Sequence, residues 1–261
     1  MSVVTTERSG SVTTLTIDRP EAFNALNADV IGALLASMSD AAADRSTRAV
    51  IVTGSGKKAF SAGADLKELA GMTPDTARRT MTDGQRAFRL IEQLPIPVIA
   101  AVNGLALGGG FELALTATFP VLSTSASLGL PESGLGLIPG YGGTQRLPRA
   151  IGERTAAYMM LTGARLSAAR AFELGLTPIP PTSPDDLLPT ALDLAEKIAA
   201  QGPDAVRSIL SAVGAGRDST LDAGLAIETG LAALAVAGDE STEGISAFLE
   251  RRPARFDNPE A

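Results

Sequence analysis

Two glutamates, Glu112 and Glu132, stand in stretches otherwise built from glycine, proline and apolar residues, G-G-G-F-E-L-A-L and G-L-P-E-S-G. A carboxylate in such surroundings loses hydration when the chain folds, and is kept where it has a partner or a task. The task that fits is paired acid/base work, in which one carboxylate takes a proton and the other group supplies one. A free glutamate titrates at about 4.3, so burial must raise one of the two before it serves as an acid near neutrality. Two nearby carboxyls of this kind titrate as a coupled pair. Taken singly, Glu112 also fits a helix-start carboxylate favoured by the helix dipole, and Glu132 a loop residue after a proline. The chain contains no histidine and no cysteine. That removes Ser-His-Asp triads, thiol nucleophiles, disulfides and imidazole metal sites, and leaves acid/base work to carboxylate, Lys, Tyr or backbone groups.

The elements around these residues are legible. The apolar run from Pro97 to Val102 reads as a strand that breaks at Asn103-Gly104; Gly108, Gly109 and Gly110 follow, and Phe111 to Leu115 reads as the first turns of a helix. A strand entering glycines and then a helix leaves unpaired N–H groups at a positive helix end, where an anion or a developing oxyanion is held. Gly109, lacking a Cβ, lets backbone approach a ligand. A second such place is Lys58 to Leu69, with small residues around Gly63 and a helix beginning near Asp65; by itself this segment reads equally well as a plain strand-to-helix turn.

Before the centre, Val3–Thr6 and Val12–Ile17 predict a β-hairpin. Asn27 caps a helix through about Asp44, Ala49–Thr53 forms a buried strand, and Thr73-Pro74-Asp75 opens a helix to Gln93. After it, Thr116 to Ser123 predicts a strand. Thr144 reads as the cap of a helix, Ser167 caps another, and the proline-rich segment from Thr177 to Pro184 reads as a linker. Helices follow over 186–200, 203–213, 221–237 and 243–251.

The run A-x-N-G-x-A-x-G-G-G-x-E-L-A, followed by P-E-x-x-L-G-x-x-P-G-x-G-G-T-Q-R-L, resembles the enoyl-CoA hydratase/isomerase (crotonase) superfamily, and the likeness extends from Asp18-Arg19-Pro20 to Glu243–Phe248. The resemblance implies an α/β spiral of ββα units over residues 1–190 and a helical C-terminal segment over 191–261. It implies trimers, often paired into hexamers, through those helices. It also implies that the N–H groups of Ala64 and Gly109 form an oxyanion hole for a thioester oxygen, that Glu112 and Glu132 flank a water, and that Ala62, Asp65 and Leu66 lie near the nucleotide of coenzyme A. Arg251 and Arg252 stand where the family tail offers basic groups to the coenzyme A phosphates, and Tyr141 could reach the acyl pocket. Phe111 and Thr118 depart from the residues frequent in hydratases, cysteine and aspartate, and Phe111 is expected to narrow or redirect the acyl pocket.

The activity so implied is hydration of a 2-enoyl-CoA to a 3-hydroxyacyl-CoA, with no metal and no cofactor beyond the coenzyme A of the substrate. The alternatives are a 3-enoyl-CoA to 2-enoyl-CoA isomerase and a non-catalytic acyl-CoA-binding homologue; two retained glutamates favour hydration. A dinucleotide-binding dehydrogenase fits poorly, because the glycines lack G-x-G-x-x-G spacing. With 22 basic against 29 acidic residues, a net charge of −7 and no basic block, nucleic acid is not an expected partner. The N-terminus lacks the pattern of a signal peptide and no apolar run is long enough to span a bilayer, so a cytoplasmic protein is expected. The hydrophobic content of 45% suffices for one large core.

Overall fold

β-Branched and apolar runs set the frame of the computed structural model, which describes residues 2–256. Strand β1 (Val4–Ser9) turns at Gly10 into β2 (Val12–Ile17), the expected hairpin. Helix α1 (Ala28–Ala43) begins where the Asn27 side chain accepts the Val30 N–H and buries Val30, Leu34 and Met38 on one face. Three pairs of strands follow: β3 (Ala49–Gly54) and β4 (Ala59–Ser61), then β5 (Val98–Val102) and β6 (Leu105–Leu107), then β7 (Phe119–Leu122) and β8 (Ser127–Gly129). Between the first two pairs lie α2 (Leu66–Leu69) and α3 (Pro74–Glu92), the latter capped by Thr73. Helix α4 (Gly109–Ala114) lies between the second and third.

Each pair gives its first strand to a five-stranded sheet ordered β1-β2-β3-β5-β7, and its second to a four-stranded sheet completed by β9 (Arg165–Ser167) in the order β4-β6-β8-β9. Apart from β1 on β2 and β9 on β8, all pairings are parallel. The chain thus winds as a spiral, as expected. One consequence matters for chemistry: β4, β6 and β8 are adjacent and end side by side.

Helices α5 (Gly143–Ile151), α6 (Glu153–Thr162) and α7 (Ala168–Glu173) continue from the small sheet. The cap of α5 is a correction: Gly142, with φ of 109°, precedes the helix, and Thr144 lies inside it. A second correction concerns β7, which starts at Phe119. Thr116 is turned back by its hydroxyl donating to Leu113 O, and Thr118 Oγ1 accepts the Val98 N–H. The proline-rich segment is tied down: Thr182 N–H donates to Leu122 O and its carbonyl accepts from Thr124, which adds a bridge beside β7.

The expected division near Thr190 falls inside α8 (Leu187–Ala199), whose Leu187, Ala191 and Ala195 are buried on the large sheet with Val12, Ile51, Ile99 and Val121. Helices α9 (Pro203–Gly216), α10 (Leu221–Ala237) and α11 (Asp239–Glu250) follow; the first runs past the expected end at Val213, and the last begins before Glu243. Helix α10 is almost wholly apolar, yet none of its residues is buried, and Leu234 and Val236 are 73% and 76% exposed. Among the described residues no single helix is long and apolar enough to cross a membrane.

Candidate active site

The site is built at the ends of β4, β6 and β8. After β4 the chain makes one parallel bridge with Leu26: Leu26 N–H donates to Gly63 O at 2.8 Å, and Asp65 N–H donates to Leu26 O at 2.9 Å. In a parallel bridge it is the flanking residues that bond, so the N–H of Ala64 between them is not spent on this ladder. After β6, Gly108 adopts φ of 49°, a left-handed turn suited to glycine, and sends its N–H to Gly129 O on β8. Gly109 is then the first residue of α4, and its N–H has no residue four positions back within the helix to bond. The two donors are neighbours: a Cβ on Gly109 would stand 3.3 Å from the Ala64 nitrogen, and one on Gly63 would stand 3.2 Å from the Gly109 nitrogen.

Gly110 lets α4 lie directly on β4. A Cβ there would overlap the Ser61 carbonyl oxygen and come within 2.7 Å of the Ser61 Cβ. This close approach presses the two N–H-bearing turns together.

Glu112, one turn into α4, is 1% exposed. Its Oε1 accepts two backbone N–H groups, from Tyr141 at 2.8 Å and Gly143 at 2.6 Å. Burial raises its pKa from 4.5 to about 7, and the nearby Glu132 charge pushes the same way; the two N–H bonds and the Arg146 charge pull against them. Glu132 begins the 3-10 turn that follows β8, and its Oε1 lies 3.0 Å from where a Cβ on Gly108 would stand. Burial raises its pKa too, and its Oε2 is buried without a hydrogen-bond partner in the protein. The Tyr141 ring packs on Phe88 of α3 and against Gly109, so it borders the same space.

Ala64, Gly109, Glu112 and Glu132 are therefore brought together. The nucleotide candidates divide. Ala62 and Leu66 are exposed on the rim beside Ala64, whereas the Asp65 carboxylate is engaged by Arg19 at 3.2 Å and caps α2 through the Lys67 N–H. The Arg19 hydrogen bond holds its carboxyl below the usual range. Arg252 is forked onto both oxygens of Glu243 at 2.6 and 2.9 Å. Phe111 is buried in the main core, so its bulk is absorbed there. The residues that sequence reasoning missed are the N–H donors that hold Glu112. The run P-G-Y-G-G-T was visible, but nothing in it tells which N–H groups face a glutamate some thirty positions earlier.

A spiral of strand pairs thus sets two carboxylates close to the turns that carry the Ala64 and Gly109 N–H groups. Residues 7–259 match the family described as enoyl-CoA hydratase/isomerase, and the chain belongs to it. Among similar proteins are a putative enoyl-CoA hydratase/isomerase, YngF, of Bacillus subtilis, 43% identical over 98% of each chain. A crotonyl-CoA hydratase of Syntrophomonas wolfei is 40% identical over 96% of each chain. The crystal structure of an enoyl-CoA hydratase from Bacillus anthracis superposes with a TM-score of 0.94 at 39% identity, covering 99% of this chain and 100% of that one.

Proposed function

We propose that this protein is an enoyl-CoA hydratase acting on short 2-enoyl-CoA thioesters. The observation that carries the reading is the glutamate pair, Glu112 buried and Glu132 half-buried, set beside the turns that carry the Ala64 and Gly109 N–H groups. The thioester oxygen sits between the N–H groups of Ala64 and Gly109, which stabilise the enolate as negative charge gathers there. Glu112 is the base. Its Oε1 already accepts two N–H bonds, an arrangement that favours the ionised form, and a pKa near 7 suits proton transfer at neutral pH. Glu132, whose pKa burial raises and whose Oε2 has no hydrogen-bond partner in the protein, is the acid.

Water then gives its proton to Glu112 as its oxygen bonds to C3, and the C2=C3 electron pair moves into the enolate. Glu132 passes its proton to C2, completing a 3-hydroxyacyl-CoA; return of the proton from Glu112 to Glu132 resets the pair. Ala62 and Leu66, on the rim, would border the coenzyme A nucleotide, with Asp65 shaping that rim through its Arg19 and helix-cap bonds. The short acyl chain is supported by the Syntrophomonas relative, whose name specifies crotonyl-CoA.

The first test is loss of the conjugated-enoyl absorbance of crotonyl-CoA. Wild type is expected to turn over, and Glu132→Gln to lose about 10³-fold in kcat, the middle of the range that a positioned acid contributes. A wild type that is inert on 2-enoyl-CoAs but conjugates a 3-enoyl-CoA would replace hydration by isomerisation. Tight thioester binding without turnover on either would leave a binding protein.

The bare apolar surface of α10 supports assembly with further copies of the chain, as a trimer or a hexamer. Light scattering is expected to give three or six times the 26.6 kDa chain mass. A monomer at micromolar concentration would overturn this.

A further inference from the structure

Glu112 is held by a loop, and the loop is held by an ion pair. The Tyr141 and Gly143 N–H groups that grip Glu112 belong to the segment entering α5. Arg146, in the first turn of that helix, reaches back and donates from Nη1 to the Tyr141 carbonyl at 2.7 Å. The same guanidinium donates from Nε and Nη2 to the two oxygens of Glu92, at 2.8 and 3.0 Å. Glu92 ends α3 and is also approached by Arg89 at 3.2 Å and Arg217 at 3.4 Å. Both partners of the fork are largely buried, with side chains 14% and 8% exposed. Two uncharged contacts run alongside: Gln85 of α3 donates to Gly140 O at 2.9 Å, and the Tyr141 ring packs on Phe88. A cavity of about 750 Å³ opens against Arg146 and Glu92, and neither Glu112 nor Glu132 lines it.

A planar two-pronged fork fixes direction as well as distance, which a lysine ammonium does not. Moving Arg146 would rotate the Tyr141 peptide and shift the N–H groups on which Glu112 rests. We propose that Glu92 and Arg146 are a positioning pair that holds the Tyr141–Gly143 loop, and through it Glu112, in the reacting geometry. This rests on the hydratase reading only for its kinetic test; the geometric claim stands apart from it.

The titratable and charged groups facing Glu112 are Glu132, from the turn after β8, Arg146, from α5, and the phenol of Tyr141, from the loop before α5, which stays neutral because burial and the Glu112 charge both raise its pKa. Strands β4 and β6, also packed on α4, carry no titratable side chain in A-F-S and L-A-L. Loss of Arg146 removes a positive charge and loosens two donors, and both changes favour the protonated form of Glu112. A base that must be ionised then works only at higher pH.

The experiment compares wild type, Arg146→Gln, Arg146→Lys and Glu92→Gln on crotonyl-CoA across pH, with circular dichroism melts to check the fold. Arg146→Gln is expected to lose about 30-fold in kcat with KM within about threefold, as misplacement of a catalytic group predicts. The rising limb of its kcat/KM profile moves up by about half a pH unit or more. Arg146→Lys should restore the pH limb in larger part than kcat, because charge returns without the fork. Glu92→Gln keeps the side-chain shape and decides the matter if Arg146→Gln melts early. An unshifted limb with kcat within twofold of wild type in Glu92→Gln and Arg146→Gln overturns the proposal. So does a loss confined to KM. Should wild type not hydrate crotonyl-CoA, carbon-13 titration of the Glu112 carboxyl in ligand-free protein, assigned by its absence in Glu112→Gln, carries the test. An upward move in Arg146→Gln supports the pair and no move rejects it, whatever the reaction.

Discussion

Glu112→Gln is expected to lose hydration of crotonyl-CoA by about 10³-fold and, at pH 8, to melt at a higher temperature than wild type. The rate falls because an amide cannot take the proton of water. The stability gain follows from the pKa. Folding raises Glu112 from 4.5 to about 7. As pH climbs between those values, the unfolded chain releases a proton that the folded chain keeps, and folding stability falls. Above 7 both states are ionised and the cost is constant, at most about 3 kcal/mol for this difference.

Glutamine carries no charge into the burial site, and its amide oxygen can still accept the Tyr141 and Gly143 N–H groups. Its advantage should therefore be several degrees at pH 8 and close to nothing near pH 4.5. Melts across this range, paired with kinetics, check both halves. Activity within tenfold of wild type would remove Glu112 from the chemistry. A pH-independent gap in melting temperature would show that the carboxylate does not carry the burial cost.

Gly110→Ala should damage both the fold and the site through a single methyl group. The added carbon would overlap the Ser61 carbonyl oxygen and sit 2.8 Å from the Ser61 carbonyl carbon and 2.7 Å from its Cβ, atoms fixed to the β4 backbone that cannot swing aside. Overpacking of this kind costs about 1–3 kcal/mol where side chains can move, and the upper end or beyond is expected here. Relief requires α4 to lift from β4. That separates the Gly109 N–H from the Ala64 N–H and carries Glu112 away with the helix. We expect about 3 kcal/mol less stability in urea unfolding and a kcat lowered by about 10²-fold or more, the scale of a 1 Å misplacement. Near-normal stability with near-normal kcat would mean that α4 and β4 are not locked as described.

Local chemistry made much of this fold readable in advance. Asn27, Thr73 and Ser167 cap helices as their side chains predict, and the β-branched runs at 12–17 and 49–53 are strands. The errors fall where tertiary contact decides. Thr144 has the side chain of a cap, but the chain enters α5 through the positive φ of Gly142 while the Arg146 guanidinium occupies the space beside it. Thr116 to Thr118 have strand propensity and are spent on ending α4 and receiving Val98. Phe111 looked placed to alter the acyl pocket, and the helix turns it into the core. The glutamates were conspicuous as charges among glycines. What sets their protonation was not, since the Tyr141 and Gly143 amides and the Glu92–Arg146 fork join residues 29 to 54 positions apart.

The three short parallel strands that end together have a further meaning. Neighbouring strands lie about 4.8 Å apart, and each of β4, β6 and β8 delivers one part of the site: Ala64, then Gly109 with Glu112, then Glu132. The sheet is therefore a ruler, with one part of the site at each graduation. The distances between functional groups belong to backbone pairing, while their identities belong to the one or two residues placed after each strand. A fold drawn on such a ruler can exchange a carboxylate for another group at one mark without moving the other two, although the charge that leaves changes the titration of the carboxylate that stays. The reaction can change while the measure stays the same.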